Sequence, residues 1–192
     1  HNTLFPYTTL FRSTGPHRYP SNPLNTTPIL RALLDAMDAW ATDGTTPPES
    51  RVPSRRDGTL VPAAEAITDC PDLPDVEFPE GPNRAHVQEF GPGFEEGVIS
   101  KQPPEEDLER EYPVLVPSVD ADGNDLPGIR TPHIEVPIAT HSGWNLRPEG
   151  SAERALAGVV GSFFPFADTE AERDERGDPR PSIEECYGSR SR

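Results

Sequence analysis

Proline constrains this chain more than any other feature. It fills 25 of 192 positions, about 13% against a usual share near 5%. Each proline lacks a backbone N–H and fixes φ, which excludes it from most helix and central-strand positions. Short elements joined by extended connections are therefore expected. Apolar residues make up only 33% of the sequence, below the roughly 45–50% of ordinary globular domains. Such a chain is expected to drape over a core supplied in part by other protein, the upstream half of the same molecule being the expected partner.

One segment escapes the prolines. Thr27 and Pro28 offer a helix start and Gly44 a stop. Between them Leu30, Leu33, Leu34, Met37 and Trp40 recur at helical spacing, giving one clear amphipathic helix whose apolar stripe is expected to pack on a sheet. Thr45 to Asp75 carries turn signals, and the basic cluster Arg51, Arg55 and Arg56 is expected to pair with local carboxylates. Arg84–Phe90 and Gly97–Ser100 read as strands, and Pro103–Glu111 as an acidic connector. Tyr112–Ile138 reads as a β-hairpin: Val114-Leu115-Val116 and Ile134 to Ile138 flank a turn at Asp122-Gly123. Ser151–Phe166 is ambiguous, with helical signals weakened by Gly158 and Gly161 and an apolar end at Phe163–Phe166 expected in the core. Thr169–Arg176 and Pro181–Tyr187 read as short helices.

Charge excludes some partners. Seventeen basic and 33 acidic residues give a formal net charge of −16. Such a surface repels a phosphate backbone and an anionic membrane, so neither nucleic acid nor membrane is expected as a partner. Cys70 and Cys186 lie in no CxxC or zinc-ligand pattern, and nothing in the sequence shows whether they pair. No cofactor or metal is implied. The Asp120 to Asp125 cluster lacks the glycine and glutamate a calcium loop needs at its sixth and twelfth positions, and turn chemistry accounts for it better.

Serine hydrolysis needs a nucleophile on a tight strand-to-helix elbow, within G-x-S-x-G. No serine here has that context: Ser142 follows Thr140-His141, and Ser162 precedes two phenylalanines. His17 is followed by Arg18 rather than glycine and takes no catalytic role. His141, in the string His141 to Arg147, is the one candidate pocket residue. It either lines a pocket or hydrogen-bonds within a loop that fixes Trp144 in the core. No catalytic residue is assigned.

The segments Asn22–Trp40, Arg56–Pro62, Tyr112–Thr140, Gly143–Arg147 and Gly177–Tyr187 together resemble the C-terminal part of the α/β-hydrolase domain-containing proteins. The resemblance implies an α/β fold and ester-type hydrolysis of a small molecule by a serine lying upstream. Residues 1–13 resemble translated sequencing-adapter read-through and are expected to be non-native. On this basis residues 14–50 would carry the last core helix of the hydrolase domain, and 51–192 a proline-rich acidic extension with the hairpin and terminal helices. The leading expectation is a C-terminal fragment of a serine-type α/β-hydrolase, lacking the nucleophile and inactive alone. The alternative is a small, acidic, β-rich binding module, against which the low apolar content counts. Cooperative unfolding of the isolated chain would distinguish the two.

Overall fold

The computed structural model describes residues 17–150 and 154–188. The expectation of a non-native segment at 1–13 lies outside them. Five α-helices and three two-stranded antiparallel sheets are present among the described residues.

Helix α1 spans Thr27–Asp43. Its cap is Thr26 rather than Thr27, and the side chain of neither closes the end. The Asn25 carboxamide instead accepts the Thr27 N–H at 2.9 Å. Gly44, at φ +69°, ends the helix and donates to the Trp40 carbonyl. The expected stripe forms but does not pack on a sheet. Leu30, Leu33, Leu34, Met37 and Trp40 are each 49–61% exposed, and no residue of α1 is buried.

The remaining elements are short, as the prolines require. Strand β1 (Leu60–Pro62) runs directly into α2 (Ala63–Asp69) and pairs antiparallel with β4 (Leu115–Pro117), Val61 opposite Val116. Strand β2 (His86–Glu89) pairs with β3 (Glu105–Glu111) through a bulge between His86 and Val87. Strand β5 (Ala139–His141) pairs with β6 (Phe163–Pro165), Thr140 opposite Phe164. Helices α3 (Pro132–Glu135), α4 (Glu170–Arg176) and α5 (Ile183–Tyr187) complete the set. The two terminal helices form where expected. The Thr169 side chain caps α4, and Ser182 with Glu185 forms a reciprocal capping box on α5.

Several local expectations are corrected. The long hairpin across Asp122-Gly123 does not form: only Val119 bridges Asp125 across that turn, and Leu115–Pro117 pairs with β1 instead. Ile134 falls in α3, because the Thr131 carbonyl accepts from both Ile134 and Glu135 behind Pro132. Pro137 then stops that turn, leaving Val136 and Ile138 about half exposed, at 55% and 50%. Gly97–Ser100 is not a strand. Gly97, at φ +82°, closes a 3-10 turn over Phe94–Glu96, and Val98 folds back to the Gly93 carbonyl. The acidic connector is strand β3, an exposed ribbon strand in which Glu105 stands opposite Glu89 and Glu111 pairs with Arg84 at 3.2 Å. Arg51, Arg55 and Arg56 form no ion pair among the described residues. No helix forms at 155–160; Leu156 instead bridges Leu146.

The core is aromatic. Tyr19, Leu73, Leu146 and Phe164 are buried together, with Val76, Phe78 and Trp144 packed against them. Tyr19 meets Phe164 edge-on at 5.2 Å, and Phe78 meets Trp144 at 5.5 Å. Such pairs contribute about 0.5–1.5 kcal/mol each beyond the area they bury. Phe164 and Phe166 are 7% and 3% exposed, so the expected burial of this apolar run holds for both.

Candidate functional site

A cavity of about 260 Å³ lies between α2 and the segments around β4, β5 and the Gly143-Trp144 turn. Helix α2 supplies its wall through Ala63, Ala66 and Ile67, continued by Cys70. These positions recur at helical spacing, so one face of the helix lines the space. Phe78, Trp144, Phe164 and Leu156 form much of the remaining apolar wall.

Five described lining residues carry polar side-chain atoms: Cys70, Asp125, Thr140, Ser142 and, through its indole N–H, Trp144. Most are already committed. Thr140 donates its hydroxyl to the Asp122 carbonyl and accepts from Arg180 Nη1 at 2.8 Å. Ser142 Oγ donates to the Trp144 carbonyl at 2.8 Å and accepts the Ser162 N–H at 3.1 Å. Burial pushes the Cys70 thiol up to about 11, so it stays protonated at neutral pH. Asp125 rims the cavity and is exposed on its outer side. The protein packed around its carboxyl, and then the charge of Asp120, push its pKa up.

The sequence candidates now have places. His141 is not among the cavity-lining residues, although its neighbours Thr140 and Ser142 are. Side chains alternate across a strand, and His141 packs against Phe163 at 5.3 Å between ring centroids. Its Nδ1 meets Asn22 Oδ1 at 3.2 Å. Asn22 Nδ2 donates to the Ser142 carbonyl and Oδ1 accepts the Leu24 N–H. Asn22 therefore presents an acceptor, and the neutral His141 carries its proton on Nδ1. Burial first, then the charge of His133, lower its pKa to about 4. Ser142, rather than His141, holds Trp144.

Neither Ser142 nor Ser162 stands free as a nucleophile would. Ser162 Oγ donates to the Trp144 carbonyl at 2.6 Å, and Ser162 is fully buried. The two hydroxyls thus converge on one backbone oxygen and fix the turn before Asn145. Gly161 permits this close approach, since a Cβ there would fall 2.2 Å from the Ser142 carbonyl oxygen.

The Asp120 to Asp125 loop behaves as a turn. Asp120 Oδ1 accepts the Asp122 and Asn124 N–H groups at 3.0 and 2.9 Å, and Oδ2 pairs with Arg130 at 2.8 Å. Gly123 takes φ +77°. A side chain there would be strained and would crowd Thr140, Cys70 and Pro71. No group of three or more His, Cys, Asp or Glu among the described residues is arranged to hold a metal ion.

Sequence reasoning missed Arg180 and Asp178. They are 4% and 6% exposed and pair at 2.6 Å. Arg180 also donates to the Phe164 and Pro165 carbonyls and lies 5.0 Å above the Phe166 ring. The signal was available in the Gly177-Asp178-Pro179-Arg180 string, although nothing local announces that its charges are buried.

The described residues combine five helices with three two-stranded antiparallel sheets, a mixed α/β content. Residues 7–192 match the model of a family described as an alpha/beta hydrolase domain. The chain belongs to that family and has a hydrolase-type fold. No curated protein and no solved structure matches it.

Proposed function

We propose that this chain is the C-terminal portion of a serine-type α/β-hydrolase that cleaves a small ester-type substrate. In this reading the nucleophile lies on an upstream N-terminal portion, which is the chain's principal partner, and the chain alone does not hydrolyse esters. The observation that carries the reading is α1. Five large apolar side chains stand exposed along one face of a 17-residue helix. Helices of α/β folds bury such a stripe against a sheet, and the three two-stranded sheets among the described residues leave it uncovered. The family match supports the hydrolase class. The engaged hydroxyls of Ser142 and Ser162 support a nucleophile elsewhere.

A fluorophosphonate that labels activated serines tests this on the intact chain. The expected result is no labelling and no turnover of a p-nitrophenyl ester. Stoichiometric labelling at Ser142 or Ser162 would overturn it. The alternative of an acidic, β-rich binding module draws support from the aromatic cluster, which gives the chain packing of its own. A cooperative unfolding transition together with an α1 face that binds no further protein would favour the module.

A further inference from the structure

We propose that the cavity between α2 and Trp144 is a binding site for a small, uncharged aromatic or branched-hydrocarbon group. In the hydrolase reading such a group would be the acyl or alcohol part of the ester, and only that use rests on the reading. The binding itself does not depend on catalysis.

Size sets the first limit. The cavity holds about 260 Å³. Apolar cavities of ~150 Å³ already bind benzene, and sites for drug-sized ligands begin near ~300 Å³. The space therefore suits a one-ring or compact two-ring group rather than a long acyl chain or a sugar.

Charge sets the second. Among the described residues no lysine or arginine lines the cavity, and the only carboxylate there is Asp125 at the rim. An anionic ligand would meet that carboxylate and no counter-charge. Arg180 lies close behind Thr140 but is bound to Asp178 and to two carbonyls. A cation would be drawn only to the rim, since the walls beyond are Ala66, Ile67, Phe78, Trp144, Leu156 and Phe164. Burying it there would strip its hydration without a partner.

Hydrogen bonding sets the third. Thr140 and Ser142 donate their hydroxyl protons to backbone carbonyls, and the Cys70 thiol is a weak donor. A polar ligand would find no strong unengaged donor among them. Recognition falls to shape and to the aromatic walls, where edge and face contacts favour a ring.

The test uses the full chain with ethylbenzene and benzoate, one neutral and one anionic ring of similar size, read by methyl NMR at Ile67, Val116, Leu73 and Leu156. Ethylbenzene is expected to shift these methyls saturably, and benzoate to bind at least about tenfold more weakly. Ala66→Leu, which fills the cavity from α2, is expected to weaken ethylbenzene by about tenfold or more with the rest of the spectrum retained. If that variant loses its dispersed spectrum, Ala63→Leu on the same helix face replaces it under the same criterion. Absence of saturable shifts, equal binding of benzoate, or undiminished binding by the filled variant would overturn the proposal. Serine labelling would sink the reading that the nucleophile lies upstream and leave this site intact. Failure of ethylbenzene to bind would remove the site and leave that reading standing.

Discussion

The Asn145 carboxamide grips the Tyr19 peptide from both sides. Its Oδ1 accepts the Tyr19 N–H at 3.1 Å and its Nδ2 donates to the Tyr19 carbonyl at 3.0 Å, across 126 residues of sequence. Asn145 is 1% exposed. Two other asparagines act in the same way along β5. Asn124 accepts the His141 N–H and donates to the Ala139 carbonyl, and Asn22 donates to the Ser142 carbonyl. Buried backbone polar groups must find partners, and this chain's prolines shorten the strands that would ordinarily provide them. Side-chain amides substitute for the missing ladder.

Replacing Asn145 with leucine keeps the branched shape and removes the hydrogen bonds of the Asn145 carboxamide. The Tyr19 N–H and carbonyl would then lose their partner, as would the Leu146 N–H. Each orphaned buried group costs about 1–3 kcal/mol. Asn145→Leu is expected to lower unfolding stability by at least about 3 kcal/mol in a urea titration followed by tryptophan fluorescence. A loss below about 1 kcal/mol would show that water replaces the amide without penalty.

The Asp178–Arg180 pair makes a different prediction, because both charges are buried. Burial alone would raise the Asp178 carboxyl, but the hydrogen bonds and charge of Arg180 hold it below its ordinary value. Removing one partner strands the other, which typically costs about 3–5 kcal/mol, whereas replacing both with apolar residues is often nearly neutral. Arg180→Met is expected to destabilise strongly. Asp178→Leu combined with Arg180→Met is expected to recover more than half of that loss in the same denaturation assay. Two single variants whose costs simply add would argue that the pair is not coupled.

The sequence revealed elements whose signal is local and missed what depends on distant partners. α1 was legible because Leu30 to Trp40 repeat at helical spacing, and α4 and α5 because Gly177 stops the one and Pro181 stands just before the other. The pairing of Leu115–Pro117 with β1 was not, since its partner lies 55 or so residues earlier and apolar alternation does not say which strand a run will join. β3 was missed because an acidic string resembles a linker unless its exposed two-stranded setting is known. At the site, the string from His141 to Arg147 stood out, but its most connected side chain is Asn145. An asparagine in a loop carries no sign in sequence that it will be buried and fully bonded.

The cysteines give a kinetic prediction. Both are free thiols; Cys186 is exposed, and Cys70 lies in the cavity wall. Burial raises both pKa values, that of Cys70 to about 11. The thiolate is the reactive form. At about pH 8, Ellman's reagent is expected to titrate Cys186 rapidly and Cys70 only at the rate of opening or unfolding. Cys186→Ser should abolish the fast phase and keep the slow one. Two equally fast phases in the native chain would mean that the cavity wall admits the reagent.

His141 couples stability to pH. Its pKa falls from 6.5 in the unfolded chain to about 4 when folded, so the unfolded state binds more protons between those values. The stabilisation from holding it neutral is complete above about 6.5 and is lost as pH falls towards about 4. That difference corresponds to roughly 3 kcal/mol. The sign follows from the surroundings. Nδ1–H already serves Asn22, the ring packs on Phe163, and the charged neighbour the imidazolium would feel is His133, which repels it. Urea titrations at neutral pH and near pH 4.5 are expected to show a loss of about 2–3 kcal/mol in the native chain beyond that in His141→Gln, which cannot take a proton. Carboxylates such as Asp178 titrate in both proteins and cancel in the comparison. If the two lost stability in parallel, the imidazole would not be held neutral in the folded chain, and the Nδ1–H assignment to Asn22 would fall with it.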